Sequence, residues 1–181
     1  MGTPIRARGS KGSPRGGGGT LSVVSGTVQV IEVGFGTERF KAVLSLADAV
    51  LDQRRHIVSA VEGASEDRVL GAFDGDRCLG FLRFYVQVVG SEEGRPPVIH
   101  NNSPLTEGFV EAFGVDPDAR RRGIGSALQR KAQELCRALG CYQIRSRSPL
   151  SSTENYAMKL AAGYALHPSH ENDSYYFLKK L

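Results

Sequence analysis

The 181-residue chain predicts a single α/β domain with a mixed central sheet flanked by helices. Segments with apolar residues at every second position alternate with segments at helical spacing. Their order is strand, helix, several hairpin strands, helix, strand, helix, strand, strand. Composition agrees, because 40% hydrophobic and 23% charged residues are typical of a globular protein. No internal repeat or second domain is visible.

Residues 1–20 are rich in Gly, Pro, Ser and basic side chains, and we expect them to form a flexible basic tail before a domain over 21–181. Four of the 23 basic residues lie in this tail, where no acid accompanies them. The remaining 19 bases are balanced by 19 acids, so the domain itself is neutral. A neutral domain argues against binding to nucleic acid.

The first half of the domain predicts a sheet with one helical segment. Asp and Gly at 74–76 are typical of a hairpin turn. Pro and Asn interrupt any regular element after residue 90, and long loops of this kind often carry function. The predicted elements are a strand over 27–33, one helix or a broken pair over 37–58, strands over 67–74 and 78–90, and a long loop over 91–108.

The second half predicts a strand–helix–strand unit followed by a helix and two short strands. Apolar residues from Ile124 to Leu139 recur at helical spacing, and Gly140 ends that helix. Ser151 and Glu154 form a candidate capping box. The predicted elements are strands over 108–115 and 141–148, helices over 124–139 and 151–163, and strands over 164–167 and 175–180.

Cysteine content and hydropathy narrow the class of protein further. Three cysteines without a Cys-x-x-Cys spacing indicate neither a disulfide framework nor a metal site. No apolar run approaches the ~18 residues of a membrane span. The first residues contain no hydrophobic segment of signal-peptide type, so we expect a cytoplasmic protein that does not contact a membrane.

The stretch DPDARRRGIGSAL, residues 116–128, joins a strand to a helix. A helix N-terminus exposes about four unpaired N–H groups and the positive end of the helix dipole. Gly123 and Gly125 allow a ligand to approach this backbone, and three arginines add positive charge. The stretch is a phosphate cradle, a nucleic-acid patch or a solvated turn. The combination of free amides, glycines and arginines favours a site for a pyrophosphate.

Two common nucleotide motifs do not fit this stretch. A Rossmann fingerprint needs Gly-x-Gly-x-x-Gly, but the sixth position here is Leu128 and the motif does not follow a first strand. The Gly-x-x-x-x-Gly-Lys-Ser/Thr string of a P-loop does not occur in the chain. Both dinucleotide binding and mononucleotide hydrolysis are therefore disfavoured.

The spacing Arg120-x-x-Gly123-x-Gly125, after a strand that ends at Val115, resembles the acyl-CoA loop of the GNAT acetyltransferase superfamily. The order of elements over 27–181 and the last helix with its Gly-Tyr ending are also similar to this family. The resemblance implies a mostly antiparallel sheet, acetyl-CoA as co-substrate, no metal, and a homodimer as a family-level expectation.

The resemblance also implies which residues contact acetyl-CoA. The strand before the loop would hydrogen-bond the pantetheine arm, the loop amides would hold the diphosphate, and Asn155 would reach the cofactor from the last helix. The predicted cofactor-binding residues are Phe113, Gly114, Val115, Arg120, Arg121, Arg122, Gly123, Ile124, Gly125, Ser126 and Asn155.

Transfer of an acetyl group to an amine needs an acid for the leaving thiolate. In the family this acid is often a Tyr four residues before the Gly of the last helix, but Lys159 occupies that position here. Lys159 could serve only with a strongly depressed pKa. Tyr156 lies one helical turn earlier and is the predicted acid, with plain packing as the alternative. Tyr164 is expected to pack.

The amine must lose a proton, since a free alkyl amine has a pKa of about 10. Glu111 is the predicted base, because it stands on the strand leading into the loop; a solvated strand Glu is the alternative. His100, in the long loop, is a candidate for the wall of an acceptor pocket. His56, His167 and His170 have no supporting context.

These observations predict an N-acetyltransferase that moves an acetyl group from acetyl-CoA to a primary amine of a small molecule. We expect direct transfer in a ternary complex, because no cysteine has a convincing His partner. A protein or peptide N-acetyltransferase and a non-catalytic acyl-CoA sensor stay open as alternatives. The sequence does not identify the acceptor.

Overall fold

The computed structural model describes residues 28–50, 52–91, 94–170 and 173–181. The tail expected over residues 1–20 lies outside these ranges. The strands are β1 (Gln29–Glu32), β2 (Glu66–Asp74), β3 (Arg77–Val88), β4 (Ile99–His100), β5 (Ser103–Pro104), β6 (Thr106–Val115), β7 (Gln143–Pro149), β8 (Ala165–Pro168) and β9 (Ser174–Lys180). The helices are α1 (Glu38–Ala49), α2 (Arg54–Val58), α3 (Ile124–Ala138) and α4 (Thr153–Ala161), with a 3-10 turn at Pro117–Ala119.

Seven strands form one sheet in the order β1-β2-β3-β6-β7-β9-β8, and β4 pairs with β5 in a separate hairpin. Only β6 and β7 are parallel, and α3 makes the crossover between them. All other neighbours in the large sheet are antiparallel. This confirms the predicted mixed, mostly antiparallel sheet flanked by helices.

Helices cover both faces of the sheet, which explains why β3 is buried along nearly its whole length. One apolar cluster joins the sheet to α3 and α4, with Leu128 and Phe177 fully buried in it. A second cluster joins the opposite face to α1 and α2, with Val43 and Ile57 at its centre. The two faces are called below the α3/α4 face and the α1/α2 face.

The sequence left open whether residues 37–58 form one helix or two, and the structure shows two. Helix α1 ends at Ala49, and Asp52 adopts a left-handed φ of 49° before α2 begins. The hydroxyl of Thr37 caps α1 by accepting from the Phe40 N–H at 3.2 Å. The break places α2 over the middle of the sheet, where it contacts β6.

Two local predictions were wrong. The long loop over 91–108 contains the β4–β5 hairpin, whose turn residues Asn101 and Asn102 both have positive φ. No side chain caps α4, whose N-cap is Ser152, so the capping box is not formed. Glu154 instead faces Arg120, with 3.5 Å between Oε2 and Nη1.

The parallel strands β6 and β7 pair over only part of their length. Pairing runs from Glu107–Gln143 to Val110–Ser146 and then stops. Beyond that point β6 stays paired with β3, while β7 stays paired with β9. The two strands therefore diverge, and the space between them is called here the β6–β7 gap.

Among the described residues, no helix combines the length and the apolar character that crossing a bilayer requires.

Candidate active site

A β-bulge marks the start of the β6–β7 gap. In the pairing of β3 with β6, Arg83 faces Ala112 and Phe84 faces Val110, which leaves Glu111 as the extra residue. A bulge re-aims side chains and bends the strand. Ala112 accordingly packs in the α1/α2 cluster, and Glu111 also turns towards that face.

The carboxylate of Glu111 meets the imidazole of His56, with 2.6 Å between Oε1 and Nδ1. The His56 Nε2 accepts from the Arg55 Nε–H at 3.1 Å. Since Nε2 is an acceptor, the proton of a neutral ring lies on Nδ1 and is donated to Glu111. This bond leaves Oε2 of Glu111 available to a substrate.

His56 is a site residue that the sequence did not indicate. It lies 55 residues from Glu111 and on the short helix α2. No local spacing links the two positions, because the contact depends on the α1–α2 break. Sequence reasoning found Glu111 from its place on the strand, but it had no signal for the partner.

The backbone of β6 presents alternate residues to the gap. The Asp116 N–H donates to the Leu79 carbonyl on β3. Since the N–H groups of a strand alternate in direction, the Gly114 N–H also points towards β3. Phe113 and Val115 therefore point their N–H groups away from β3. The Phe113 N–H donates to Oε1 of Gln53 at 3.1 Å, so a donor is already aimed into this space.

The Arg120–Ser126 loop has the conformation of an anion cradle. Arg121 and Gly123 both adopt left-handed φ values, of 59° and 80°. Strained residues of this kind cluster at ligand sites, and successive amides in such turns form anion-binding concavities. The bond from Ala127 N–H to the Gly123 carbonyl closes the first turn of α3, so the amides before it point outward.

Gly125 brings the start of α3 close to its neighbours. A Cβ at this position would lie 3.1 Å from Met158 Sδ and 3.1 Å from Phe113 Cζ. The absence of a side chain at Gly125 therefore lets α3 pack against both β6 and α4. The side chains of Arg120, Arg121 and Arg122 are exposed at the rim of the loop.

Helix α4 places two polar side chains beside the end of β7. Asn155 donates from Nδ2 to Ser148 Oγ at 2.8 Å, while its buried Oδ1 has no partner. An orphaned buried acceptor fits a ligand that brings an N–H donor. The Tyr156 hydroxyl donates to the Ser148 carbonyl at 3.2 Å, and burial raises the pKa of this phenol.

Lys159 lies on the same helix and is buried, with 2% of its surface exposed. Its Nζ donates to Oγ of Ser146. Burial lowers the pKa of Lys159 to about 7. Tyr164, as expected, packs: it is buried, and its hydroxyl donates to Gln129 Oε1 at 3.0 Å.

Two cavities lie on opposite faces of the sheet, and the first includes residues at the start of the gap. On the α1/α2 face, a pocket of about 250 Å³ is lined by Gln53, His56, Phe109, Val110, Glu111, Arg147, Pro149, Asp173 and Ser174. Between α3 and α4, a cavity of about 340 Å³ has Lys159 in its wall. His100 is exposed on β4 and lines neither of these two cavities.

The three cysteines are all buried and unpaired. Burial raises the pKa of the Cys78 thiol to about 11. None of the three lines either cavity. Within the described ranges, no group of His, Cys, Asp or Glu side chains is arranged to hold a metal ion.

The family description "Acetyltransferase (GNAT) family" matches residues 38–160. Over 56 residues the chain is 38% identical to an aminoglycoside N(6')-acetyltransferase type 1 of Klebsiella aerogenes, a match that covers 31% of this chain and 37% of that relative. The chain therefore spans little more than a third of the length of that curated relative.

Solved structures share the fold at low sequence identity. Arabidopsis thaliana NAA60 in complex with acetyl-CoA superposes with a TM-score of 0.66 at 13% identity, over 86% of this chain and 99% of that one. The PaiA N-acetyltransferase of Thermoplasma acidophilum in complex with coenzyme A gives 0.61 at 12% identity, with the same coverages. With the family match extending over most of the domain, from α1 to α4, the chain belongs to the GNAT family of acetyltransferases.

Proposed function

We propose that this chain transfers the acetyl group of acetyl-CoA to a primary amine of a small molecule, by direct attack within a ternary complex. The observation that carries the proposal is the position of Glu111. Its carboxylate stands at the first residue of the β6–β7 gap, is held by His56, and lies on the strand that leads into the Arg120–Ser126 loop.

The loop and the strand fit acetyl-CoA chemically. Outward amides at a helix N-terminus suit a diphosphate, and the arginines at the rim supply charge. The backbone of Phe113 and Val115 offers donors and acceptors to the amides of the pantetheine arm. Asn155 Oδ1 is an unpaired acceptor near the same strand ends, as such an arm requires.

Glu111 acts as the base in this proposal. Its Oε1 is held by the His56 Nδ1–H, so Oε2 takes the proton of the incoming ammonium. His56 is a positioning residue that fixes the carboxylate. The neutral amine then attacks the thioester carbon, a C–N bond forms, and negative charge develops on the carbonyl oxygen.

The Phe113 N–H is the donor proposed for that oxygen. In the structure it is bonded to Gln53, so the substrate carbonyl takes the place of the Gln53 amide oxygen. The carbonyl then re-forms as the C–S bond breaks, the CoA thiolate leaves, and the nitrogen releases its second proton to water to give the neutral amide. The buried cysteines support direct transfer, because none lines either of the two cavities, as an acyl acceptor would.

The pocket on the α1/α2 face favours a small acceptor over a folded protein surface. Its volume of about 250 Å³ is slightly below the range of about 300–1,000 Å³ that is typical of small-molecule sites. Glu111 and Asp173 supply two acidic groups for a cationic amine, against one arginine, Arg147, in the same lining. The partial similarity to an aminoglycoside acetyltransferase supports the same acceptor class.

Two glycines of α3 provide a matched test of the cradle. Gly123 and Gly140 have φ values of 80° and 76°, and a Cβ at either would contact nothing within 4 Å. Gly123→Glu and Gly140→Glu therefore carry similar backbone strain at opposite ends of the helix. In calorimetry with acetyl-CoA, we expect Gly123→Glu to abolish binding and Gly140→Glu to retain it. Equal binding by both variants would contradict the proposal.

Catalysis is tested by thiol release from acetyl-CoA over a panel of an aminoglycoside, a polyamine, free amino acids and a peptide. We expect turnover with at least one small amine and its loss in Glu111→Gln. Tight acetyl-CoA binding without turnover on any amine would instead favour the non-catalytic sensor. Turnover with the peptide alone would favour the protein N-acetyltransferase.

A further inference from the structure

Lys159 is a buried cation for which the described residues supply no carboxylate partner. Among the described residues, the hydrogen bond from its Nζ goes to a neutral hydroxyl, that of Ser146. The Nζ also lies 5.0 Å from the centre of the Phe177 ring and 5.7 Å from that of Tyr164. A charge in such surroundings loses its hydration without an ion pair in return, so this position is costly to maintain.

The place of this amine in the fold is close to the gap. Ser146 is the β7 residue of the last β6–β7 pair, opposite Val110, and Glu111 comes directly after Val110. Lys159 approaches that pair from the α3/α4 face. Glu111 turns to the α1/α2 face, where it meets His56. An acid–base pair thus brackets the start of the gap from its two sides.

We propose that Lys159 is the general acid that protonates the departing CoA thiolate. This inference rests on the proposed function, because it needs acetyl-CoA in the β6–β7 gap. When the C–S bond breaks, its electron pair stays on sulfur and the Lys159 ammonium gives one proton to it. The ammonium becomes a neutral amine, which the Ser146 hydroxyl retains by hydrogen bonding.

The surroundings of Lys159 suit this task. From α3 the charged group facing the cavity is Arg130, and from β9 it is Lys179, whose Nζ donates to the Ala162 carbonyl at 2.6 Å. Tyr164 carries a neutral phenol, with its pKa raised to about 12 by burial. Since no described residue lining this cavity is acidic, a nearby thiolate would be the anion that stabilises the ammonium.

Tyr156 is the competing acid on the same helix. Its hydroxyl proton is donated to the Ser148 carbonyl, and burial moves the pKa of the phenol upward, which makes it a weaker acid. An ammonium with a pKa near neutrality transfers a proton to a thiolate with a larger driving force. Lys159 is also bonded to Ser146, at the last β6–β7 pair. Tyr156 is bonded to Ser148 further along β7, so the position at the start of the gap favours Lys159.

Titration of bound CoA tests the proposal without knowledge of the acceptor. The ultraviolet absorbance of the thiolate reports the thiol pKa of CoA bound to wild type, Lys159→Met and Lys179→Met. A thiolate beside Lys159 raises the amine pKa above its ligand-free value of about 7, and the resulting ammonium lowers the thiol pKa in return. We therefore expect Lys159→Met to raise the thiol pKa by about one unit or more. Lys179→Met removes a charge from the same cavity and should change it less. Equal thiol pKa values in wild type and Lys159→Met would overturn the proposal.

Two further arms keep the test decisive. If Tyr156→Phe raises the thiol pKa and Lys159→Met does not, Tyr156 is the acid and Lys159 is not. Should Lys159→Met fail to fold, NMR of the Lys159 amine in wild type supplies the same information: its pKa should be higher with CoA than with desulfo-CoA, and equal values would refute the contact. Failure of wild type to bind CoA at all would sink the proposed function itself.

Discussion

The two faces of the sheet treat buried positive charge differently. On the α1/α2 face, Arg145 is bonded to Glu107 at 2.8 Å, and Arg83 is bonded to Asp67 at 2.7 Å. On the α3/α4 face, Lys159 is equally buried, and within the described part of the chain its hydrogen bond goes to the neutral hydroxyl of Ser146. The comparison shows that this fold supplies carboxylates to buried cations elsewhere. The uncompensated cation stands next to the β6–β7 gap, where a ligand anion would arrive.

Glu107→Gln removes the carboxylate partner of a buried cation on the α1/α2 face. It should have the largest effect on the free energy of unfolding. It leaves the buried Arg145 guanidinium without its carboxylate between the rings of Phe109 and Tyr176. Loss of one partner of a buried pair costs about 3–5 kcal/mol. Denaturant unfolding measures the change, and Glu66→Gln, which weakens a pair that is one-third exposed, serves as control with a loss below about 1 kcal/mol. Similar losses in both variants would contradict the distinction.

Glu111→Gln tests the base on the α1/α2 face. We expect kcat/KM for the best amine to fall by about 10²- to 10⁴-fold, the usual contribution of a positioned base. Acetyl-CoA affinity should stay the same, because the loop that binds it is untouched. The kcat/KM of His56→Ala should fall less, since His56 only orients the carboxylate. Unchanged kinetics in Glu111→Gln would remove this residue from the mechanism.

Lys159→Met tests the buried cation on the α3/α4 face through the pH dependence of the free energy of unfolding. In wild type the Lys159 pKa falls from 10.5 to about 7 on folding. Between these values the unfolded chain binds more protons, so the free energy of unfolding rises with pH by up to about 1.4 kcal/mol per unit. Lys159→Met should be more stable than wild type at pH 7, and its own curve should lack this rise.

Unfolding of both proteins between pH 7 and 9 checks that prediction. Above pH 9 the raised pKa of Cys78 acts in the opposite sense, because the folded chain then holds the extra proton. Both proteins share that contribution, so their difference isolates Lys159. Parallel curves for the two proteins would show that Lys159 does not titrate in this range.

Arg120→Ala should have the smallest effect. The side chain is exposed, and its contact with Glu154 spans 3.5 Å. Exposed pairs contribute little, so the free energy of unfolding should change by less than about 0.5 kcal/mol. Acetyl-CoA should bind a few-fold more weakly at low salt, because one rim charge is lost. Identical affinities at low salt would show that the loop amides act without this arginine.

Some features of the site could be predicted from the sequence, and others could not. The Arg120–Gly125 spacing located the loop correctly in the fold, because the cue for a strand–loop–helix junction is local. The capping box at Ser151 and Glu154 was wrong, because α4 starts one residue later, with Ser152 as its N-cap, so the two side chains do not have the required spacing from the helix start. Lys159 was recognised as a departure from the family pattern, but its burial could not be read from residues on one helix.

The sequence by itself determined the order of the elements, the glycines that open the start of α3, and the presence of Glu111 on the strand before it. These follow from periodicity and backbone freedom, which act within a few residues. Only the tertiary structure decided that His56 holds Glu111 and that Lys159 rests on Ser146 at the opposite face. Those pairings depend on where β6 and β7 part, and that divergence is set by a bulge and by strand partners far apart in the chain.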